Sequence, residues 1–550
     1  MRQWHYAAAL ICMLGGVTAC NDPLQVQNNN QPDVARVYAS PADVEALIGS
    51  SWNTVHVATV GDGDDDIQAQ MLVMGLESYS GLSNFDMGAR AAIPRAGISN
   101  QPNNAADPGN LHDWNQLLHA ARSIVTAIQA FQKPGFSTGN AGRDTRNLAF
   151  AHFELGVALG DLALVYDSGN VVSPHDSVVI PPLVGHDSVM TFALSELDTA
   201  IALAGTPGVP DLPDTWLNAA NGFTSMTDFI ALAHSFKARF RAMVARTPAE
   251  RDAVDWNAVI ADAQAGIKQD YEVNLSPSTG WQMAVDGDHY RFDTWHSMPP
   301  QIIGMADVQP ASAPNGYKAW LAADIGSKPR LHIVTPDTRF PQGATRDEQV
   351  ANSPKDPDVA TGPYFKNRPA GDDRPLVSWA NTEYDYYRFQ SLYDAGQKGP
   401  MPLVTATEMD MLVAEGDIRT NQFQAAADLI NKSREKHNLP DITNVTDAST
   451  QVPGGITSCV PQVPDPAQGY LNTTCGNLME AMKWEKRMED AYTGYGMWYF
   501  DGRGWGDLPE GTAIEWPVPY EEMQVRQHSY YDLGGVGQPG GATKSANYGW

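Results

Sequence analysis

Apolar residues at three- and four-residue spacing fill so much of this chain that helix-on-helix packing has to dominate its fold. Trp114, Leu117, Leu118, Ala121, Val125, Ile128 and Phe131 form one such stripe, stopped by Pro134-Gly135. Leu148 to Tyr166 is apolar almost all round, which predicts a central helix with His152, Glu154 and Asp161 paired inside the fold. Val189 to Leu203 predicts another helix. Phe229, Leu232, Ala233, Phe236, Phe240, Met243 and Val244 mark the next, and Trp256, Val259, Ile260, Ala263 and Ile267 its partner. Ser40-Pro41-Ala42-Asp43 offers a hydroxyl cap, a first-turn proline and an acid at the third position, so a helix is expected from there to about Val57. Further on, Glu408–Glu415 and Ala425–Arg434 read as a short-looped helical hairpin in which Glu415 and Arg434 could pair.

Paired helices of this length predict a mostly α fold of stacked, tetratricopeptide-like hairpins, although no strict consensus repeats. Between about Gln269 and Met401 the helical period disappears and Pro, Gly, Asp and aromatic residues rise. The expected organisation is one intertwined globular domain over 41–550. It comprises a helical-pair region (41–268), an irregular, loop-rich ligand-binding region (269–401), and a C-terminal helical pair with a disulfide loop and cap (402–550). Rigid aromatic planes stack on sugar rings, so Trp281, Tyr290, Trp295 and Trp320 are candidate ligand-binding residues. Tyr79 and Phe85 join them from the segment up to Asn110, which reads as long surface loops.

The N-terminus carries an address. Arg2, the apolar run Ala7–Leu14 and Gly15-Gly16 make residues 1–19 a leader, whose apolar run is far too short to span a bilayer. Val17-Thr18-Ala19-Cys20 has the form of a bacterial lipobox, with Cys20 as the lipidated residue. Residues 20–40 begin Asn/Gln-rich with nothing to bury and are expected to be a flexible tether. In such an exported chain Cys459 and Cys475 are expected to form a disulfide, closing a loop worth roughly 3 kcal/mol by chain entropy.

Charge and motifs narrow the function. A formal charge of −28 argues against nucleic acid and anionic headgroups as partners. Asp62, Asp64 and Asp66 alternate like calcium ligands, but Ile67 and Val73 stand where an EF-hand needs Gly and Glu, so the loop reads as a solvated acidic turn. No metal site or cofactor is expected. H-E-x-x-H, G-x-S-x-G and the P-loop are missing from the sequence. Gly535-Val-Gly537-Gln-Pro-Gly540 spells a dinucleotide motif in a Pro/Gly-rich tail that offers it neither strand nor helix.

The C-terminal part is the most specific. Leu478, Ala481, Met482, Met488, Ala491, Tyr492 and Tyr495 make a helical stripe, with Glu485, Lys486, Arg487, Glu489 and Asp490 around it. The glycine-broken aromatics Gly494 to Gly506 then predict a packed turn. Trp516-Pro517-Val518-Pro519 predicts extended backbone. The order Glu485, Arg487, Glu489, Gly494, Trp498, Phe500, Asp501, Arg503, Pro517, Pro519, Glu522 resembles the C-terminal signature of the SusD/RagB-like family of outer-membrane lipoproteins. Lys486, Thr493 and the extra Tyr499 depart from it. Glu408, Leu412, Ala414, Glu415, Ala426, Ile430, Asn431 and Arg434 resemble a second motif of the same family, and 441–476 resembles a loop inserted between the two.

That resemblance implies a surface-facing outer-membrane lipoprotein held by its N-terminal lipid. It would bind an extracellular nutrient, an oligosaccharide or else a peptide, without turning it over, as the lid of a SusC-like TonB-dependent barrel. The rival readings are a lipid-anchored hydrolase such as a glycosidase, and a scaffold lipoprotein outside transport.

Overall fold

The computed structural model describes residues 38–61, 67–80, 86–103, 107–175, 180–283, 297–308, 331–353, 359–369, 382–470 and 472–550. Helices begin where the chain supplies a side-chain acceptor for the first orphan N–H groups. Ser40 caps α1 (Pro41–His56), accepting from Asp43 N, and Asn140 caps α4 (Ala141–Val165) by accepting from Arg143 N at 3.0 Å. Between them lie α2 (Ile67–Met74) and α3 (Asp107–Phe131). After α5 (His186–Ala204), Ser225 caps α6 (Met226–Met243) and Asp255 caps α7 (Trp256–Ala265).

These helices stack as expected of hairpin pairs. Helix α4 lies against α3 on one side and α5 on the other, and α6 pairs with α7. Close approach relies on two glycines of α4. A Cβ on Gly156 would sit 2.7 Å from Leu197, and one on Gly160 would fall within the Phe240 ring. Trp52, Phe150, Phe153, Phe229 and Phe236 then pack edge-on or tilted, as aromatic quadrupoles favour, with Trp52–Phe153 and Phe153–Phe229 centroids both 5.2 Å apart. The stack continues through the hairpin α8 (Ala406–Arg419) and α9 (Phe423–Lys436), with α8 also against α7.

Helix α10 (Leu478–Asp490) is buried, charged residues included. Lys483, Glu485, Lys486, Arg487, Glu489 and Asp490 are all buried, because each charge meets an opposite charge or a hydroxyl from another element. The turn predicted over 494–506 is instead largely helical. The chain breaks at Ala491–Gly496, where Tyr492 and Gly496 take φ of 60° and 59°, and resumes as α11 (Met497–Trp505). Glycine costs a helix only about 1 kcal/mol, which burial of Trp498, Tyr499 and Phe500 outweighs. Helix α2 supplies the cap: Gln68 accepts from Gly496 N at 2.9 Å, while Glu77 just beyond it accepts from Tyr492 N at 2.6 Å.

The irregular segment leaves and re-enters the helical body side by side, for Tyr271–Leu275 pairs antiparallel with Gly399–Val404. Inside it, Ala360–Thr361, Phe365–Asn367 and Tyr384–Tyr386 form a small three-stranded sheet. In the inserted segment Cys459 and Cys475 are joined, Cα atoms 5.7 Å apart, beside the hairpin Gln462–Pro464/Thr473–Cys475. The described parts of the 79–110 stretch are surface loops only in places: residues 92–94 and 101–103 are exposed, whereas others are held in the body of the protein. Ser78, Ser80, Arg90, Arg95 and Asn100 are buried, and Ile98–Ser99 pairs with Asp532–Leu533.

Two expected pairings change. Glu415 does not meet Arg434 across the α8–α9 hairpin; it takes Arg251 at 2.6 Å, whereas Arg434 reaches Glu485 at 3.8 Å and the Val460 carbonyl at 2.8 Å. On α4, His152 pairs with Glu196 and Asp161 feels Arg239. Glu154 is fully buried, neither carboxyl oxygen has a hydrogen-bond partner among the described residues, and burial pushes its pKa well up.

Candidate functional site

The core of the C-terminal half is a set of buried guanidinium–carboxylate forks. Arg251 meets both oxygens of Glu415 at 2.9 and 2.6 Å and Asp501 at 3.1 Å, while Lys486 meets the other Asp501 oxygen at 2.7 Å. Arg239 grips Glu408 in the same way, at 2.8 and 2.6 Å. Arg339, from the irregular segment, is held by Asp337, Glu485 and Glu489. Burial alone would raise a carboxyl pKa, yet Arg251 and Arg419 bring Glu415 down to about 2. These forks join elements far apart in sequence and fix where α10, α11 and the irregular segment sit.

The same helices hold the tail. Arg487 and Lys483 of α10 bind Asp507 at 2.6 and 3.1 Å. Asp507 accepts from the Asn547 amide at 2.6 Å, and its backbone carbonyl accepts from the Trp550 indole N–H at 2.9 Å. Tyr548 donates to Glu480 at 2.6 Å and packs against Trp550, ring centroids 4.8 Å apart. Gly549, at φ 82°, lies where a Cβ would enter the Tyr470 ring, so the tail turns back there.

So held, the tail forms one wall of a groove of about 290 Å³. Leu76, Ile93, Pro94, Pro509, Val536 and Trp550 make its apolar walls; Gln301, Glu510 and Lys544 are its polar groups. Ile93 and Val536 are 50% and 45% exposed, so these apolar walls are open to solvent. Neither Glu510 nor Lys544 has an ion-pair partner among the described residues. An indole plane with a carboxylate and an ammonium at the edge can stack on the apolar face of a pyranose and bond its hydroxyls.

The groove borders a junction of strand ends. Tyr79 N donates to Ser297 O at 2.8 Å, Ser297 bridges to Asp385, and Arg368 reaches the Ser297 hydroxyl and the Thr382 carbonyl. Leu76 and Gln301 carry this junction into the groove.

Of the aromatic residues nominated from sequence, two are described. Tyr79 is 4% exposed and turned into the core, so it presents no stacking face. Trp281 is half-buried against His56, centroids 5.0 Å apart, and does not line the groove. Phe85, Tyr290, Trp295, Trp320 and the lipidation residue Cys20 lie outside the described residues, as do Asp62, Asp64 and Asp66. Ile93, Val536, Lys544 and Trp550 escaped sequence reading; a tail rich in glycine yet ending in Tyr548 and Trp550 was the available signal. Among the described residues no three His, Cys, Asp or Glu side chains are grouped to hold a metal.

No protein-family model and no curated protein sequence matches the chain. Solved structures do. A SusD-like protein from Bacteroides fragilis aligns at TM-score 0.52 and 13% identity over 92% of this chain and 98% of its own. A SusD superfamily protein from Bacteroides vulgatus aligns at 0.51 and 12% over 90% and 99%. A SusD-like carbohydrate binding protein from Bacteroides fragilis aligns at 0.50 and 13% over 89% and 99%. The chain has the SusD-like fold.

Proposed function

We propose that this SusD-like chain is an outer-membrane lipoprotein, anchored through Cys20, that binds an extracellular oligosaccharide and covers a SusC-like TonB-dependent barrel. The observation that carries the reading is the fold, shared over about nine-tenths of the chain with a structure described as a carbohydrate binding protein. The groove of Trp550, Ile93 and Val536 with Glu510 and Lys544 at its edge supports it chemically. In this role the protein binds and releases its ligand unchanged. Ligand held between groove and barrel would favour closure through contacts to both.

Calorimetric titration of the purified protein with a panel of neutral oligosaccharides tests the binding claim. Saturable binding without chain shortening supports it; hydrolysis of the glycan, or no binding to any of them, overturns it. Co-purification with a TonB-dependent barrel, and loss of membrane fractionation in a Cys20→Ala protein, test the setting. A protein that keeps its place in an envelope complex lacking a barrel favours the scaffold reading instead.

A further inference from the structure

The insertion between the two C-terminal helical motifs carries the disulfide, and its tip reaches the tail that walls the glycan groove. Cys459 and Cys475 are joined at the base of the hairpin Gln462–Pro464/Thr473–Cys475, and the tip is ordered by its own backbone. Asp465 N donates to Asn472 O at 2.8 Å and Tyr470 N to Asp465 O at 2.9 Å, while the Asp465 carboxylate accepts from Ala467 N at 2.9 Å. Tyr470 sits in this tip at φ 62°, a left-handed conformation that a residue with a side chain adopts at a cost. The side chain so placed meets the tail. Its hydroxyl donates to Ala546 O at 2.9 Å, and its ring lies so close on Gly549 that a Cβ there would be 2.4 Å away.

Gly549 and Trp550 line the groove; Tyr470 does not. From the helical body the tail is held by Asp507, through Asn547 and the Trp550 indole, and by Glu480 through Tyr548. Tyr470 holds it from the insertion. The tail's own bonds, Gly549 N to Ser545 O at 2.8 Å and Ser545 N to Trp550 O at 3.0 Å, are thus braced by two separate elements. We propose that Tyr470 is a positioning residue for ligand binding, whose ring fixes the Gly549 backbone so that the Trp550 indole stands ready in the groove. A wall ordered before binding spares the complex the entropy of ordering it, so the disulfide-closed insertion raises affinity without touching ligand. The inference rests on the reading of this groove as the oligosaccharide site.

The test combines hydrogen exchange of a peptide spanning residues 545–550, read by mass spectrometry, with calorimetric titration of malto-, cello-, xylo- and mannohexaose. Tyr470→Ala should speed exchange of the tail about tenfold and weaken binding of whichever hexaose the unaltered protein takes by about three- to tenfold. Tyr470→Phe keeps the ring on Gly549 and should recover most of both. Gly160→Ala loosens the helical core and should move neither, although it lowers the melting transition. Tail exchange or affinity unchanged in Tyr470→Ala, no recovery by Tyr470→Phe, or an equal loss in Gly160→Ala each overturns the proposal and leaves the groove reading standing. An unaltered protein that binds none of the sugars overturns the groove reading, and the proposal with it.

Discussion

Single carboxyls in this protein are tuned in opposite directions, and their titrations set where it is most stable. Burial pushes Glu77 up to about 8, although the N–H groups of Tyr492 and Trp498 oppose it, and pushes Asp161 up to about 7 against Arg239. Burial is overcome at Glu415 and Glu489, which their guanidinium and His partners hold at about 2. The signs are opposite. A raised carboxyl contributes stability that is full below its unfolded pKa near 4 and is lost as pH rises to 7–8; a lowered one contributes above pH 4–5 and is lost toward 2. Taken alone these carboxyls favour about pH 4–5, but buried His56, pushed down to about 4, costs stability as pH falls from 6.5 toward 4 and moves the optimum upward, as urea denaturation across pH will show. Glu77→Gln keeps an acceptor for Tyr492 N, so it should be more stable than the unaltered protein at pH 8, by about 1–3 kcal/mol, and no more stable at pH 4.

At the scale of elements, helices were the legible part and their charged partners were not. The stripes of α3, α4, α6 and α7 appear in the structure because an apolar face at helical spacing leaves little choice of conformation. Which carboxylate an arginine meets depends on the angle between helices, and sequence separation does not encode that. Hence Glu415 faces Arg251 rather than Arg434, and α10 is buried all round although half its residues are charged. Arg251→Ala would leave Glu415 and Asp501 buried with less charge to meet them and should destabilise the fold by about 3–5 kcal/mol in denaturation experiments. Gly160→Ala places a methyl inside the space of Phe240 and should cost about 1–3 kcal/mol; Phe240→Leu in the same protein should recover part of it.

For the whole molecule, the groove joins parts that the sequence keeps apart. Leu76 and Ile93, Gln301, and Pro509 to Trp550 come from three distant stretches, and only the folded body makes them neighbours. Aromatic content therefore drew attention to Tyr79, which packing has placed inside, and away from Trp550, held by Asp507 at the surface. Trp550→Ala should weaken oligosaccharide binding about tenfold and, by removing the indole bond to Asp507 and the contact with Tyr548, lower the melting transition modestly, measured by titration and calorimetry.

The pairing of Tyr271–Leu275 with Gly399–Val404 has an evolutionary consequence. Because the two feet of the intervening segment stand next to each other, the entropy of closing it grows only slowly with length, by about 0.6 kcal/mol per doubling. Insertions and deletions there cost little, provided Arg339 keeps its grip on Glu485 and Glu489. Diversification in relatives of this chain should accordingly concentrate in the span between those two strands, with the helical frame left to drift slowly around it.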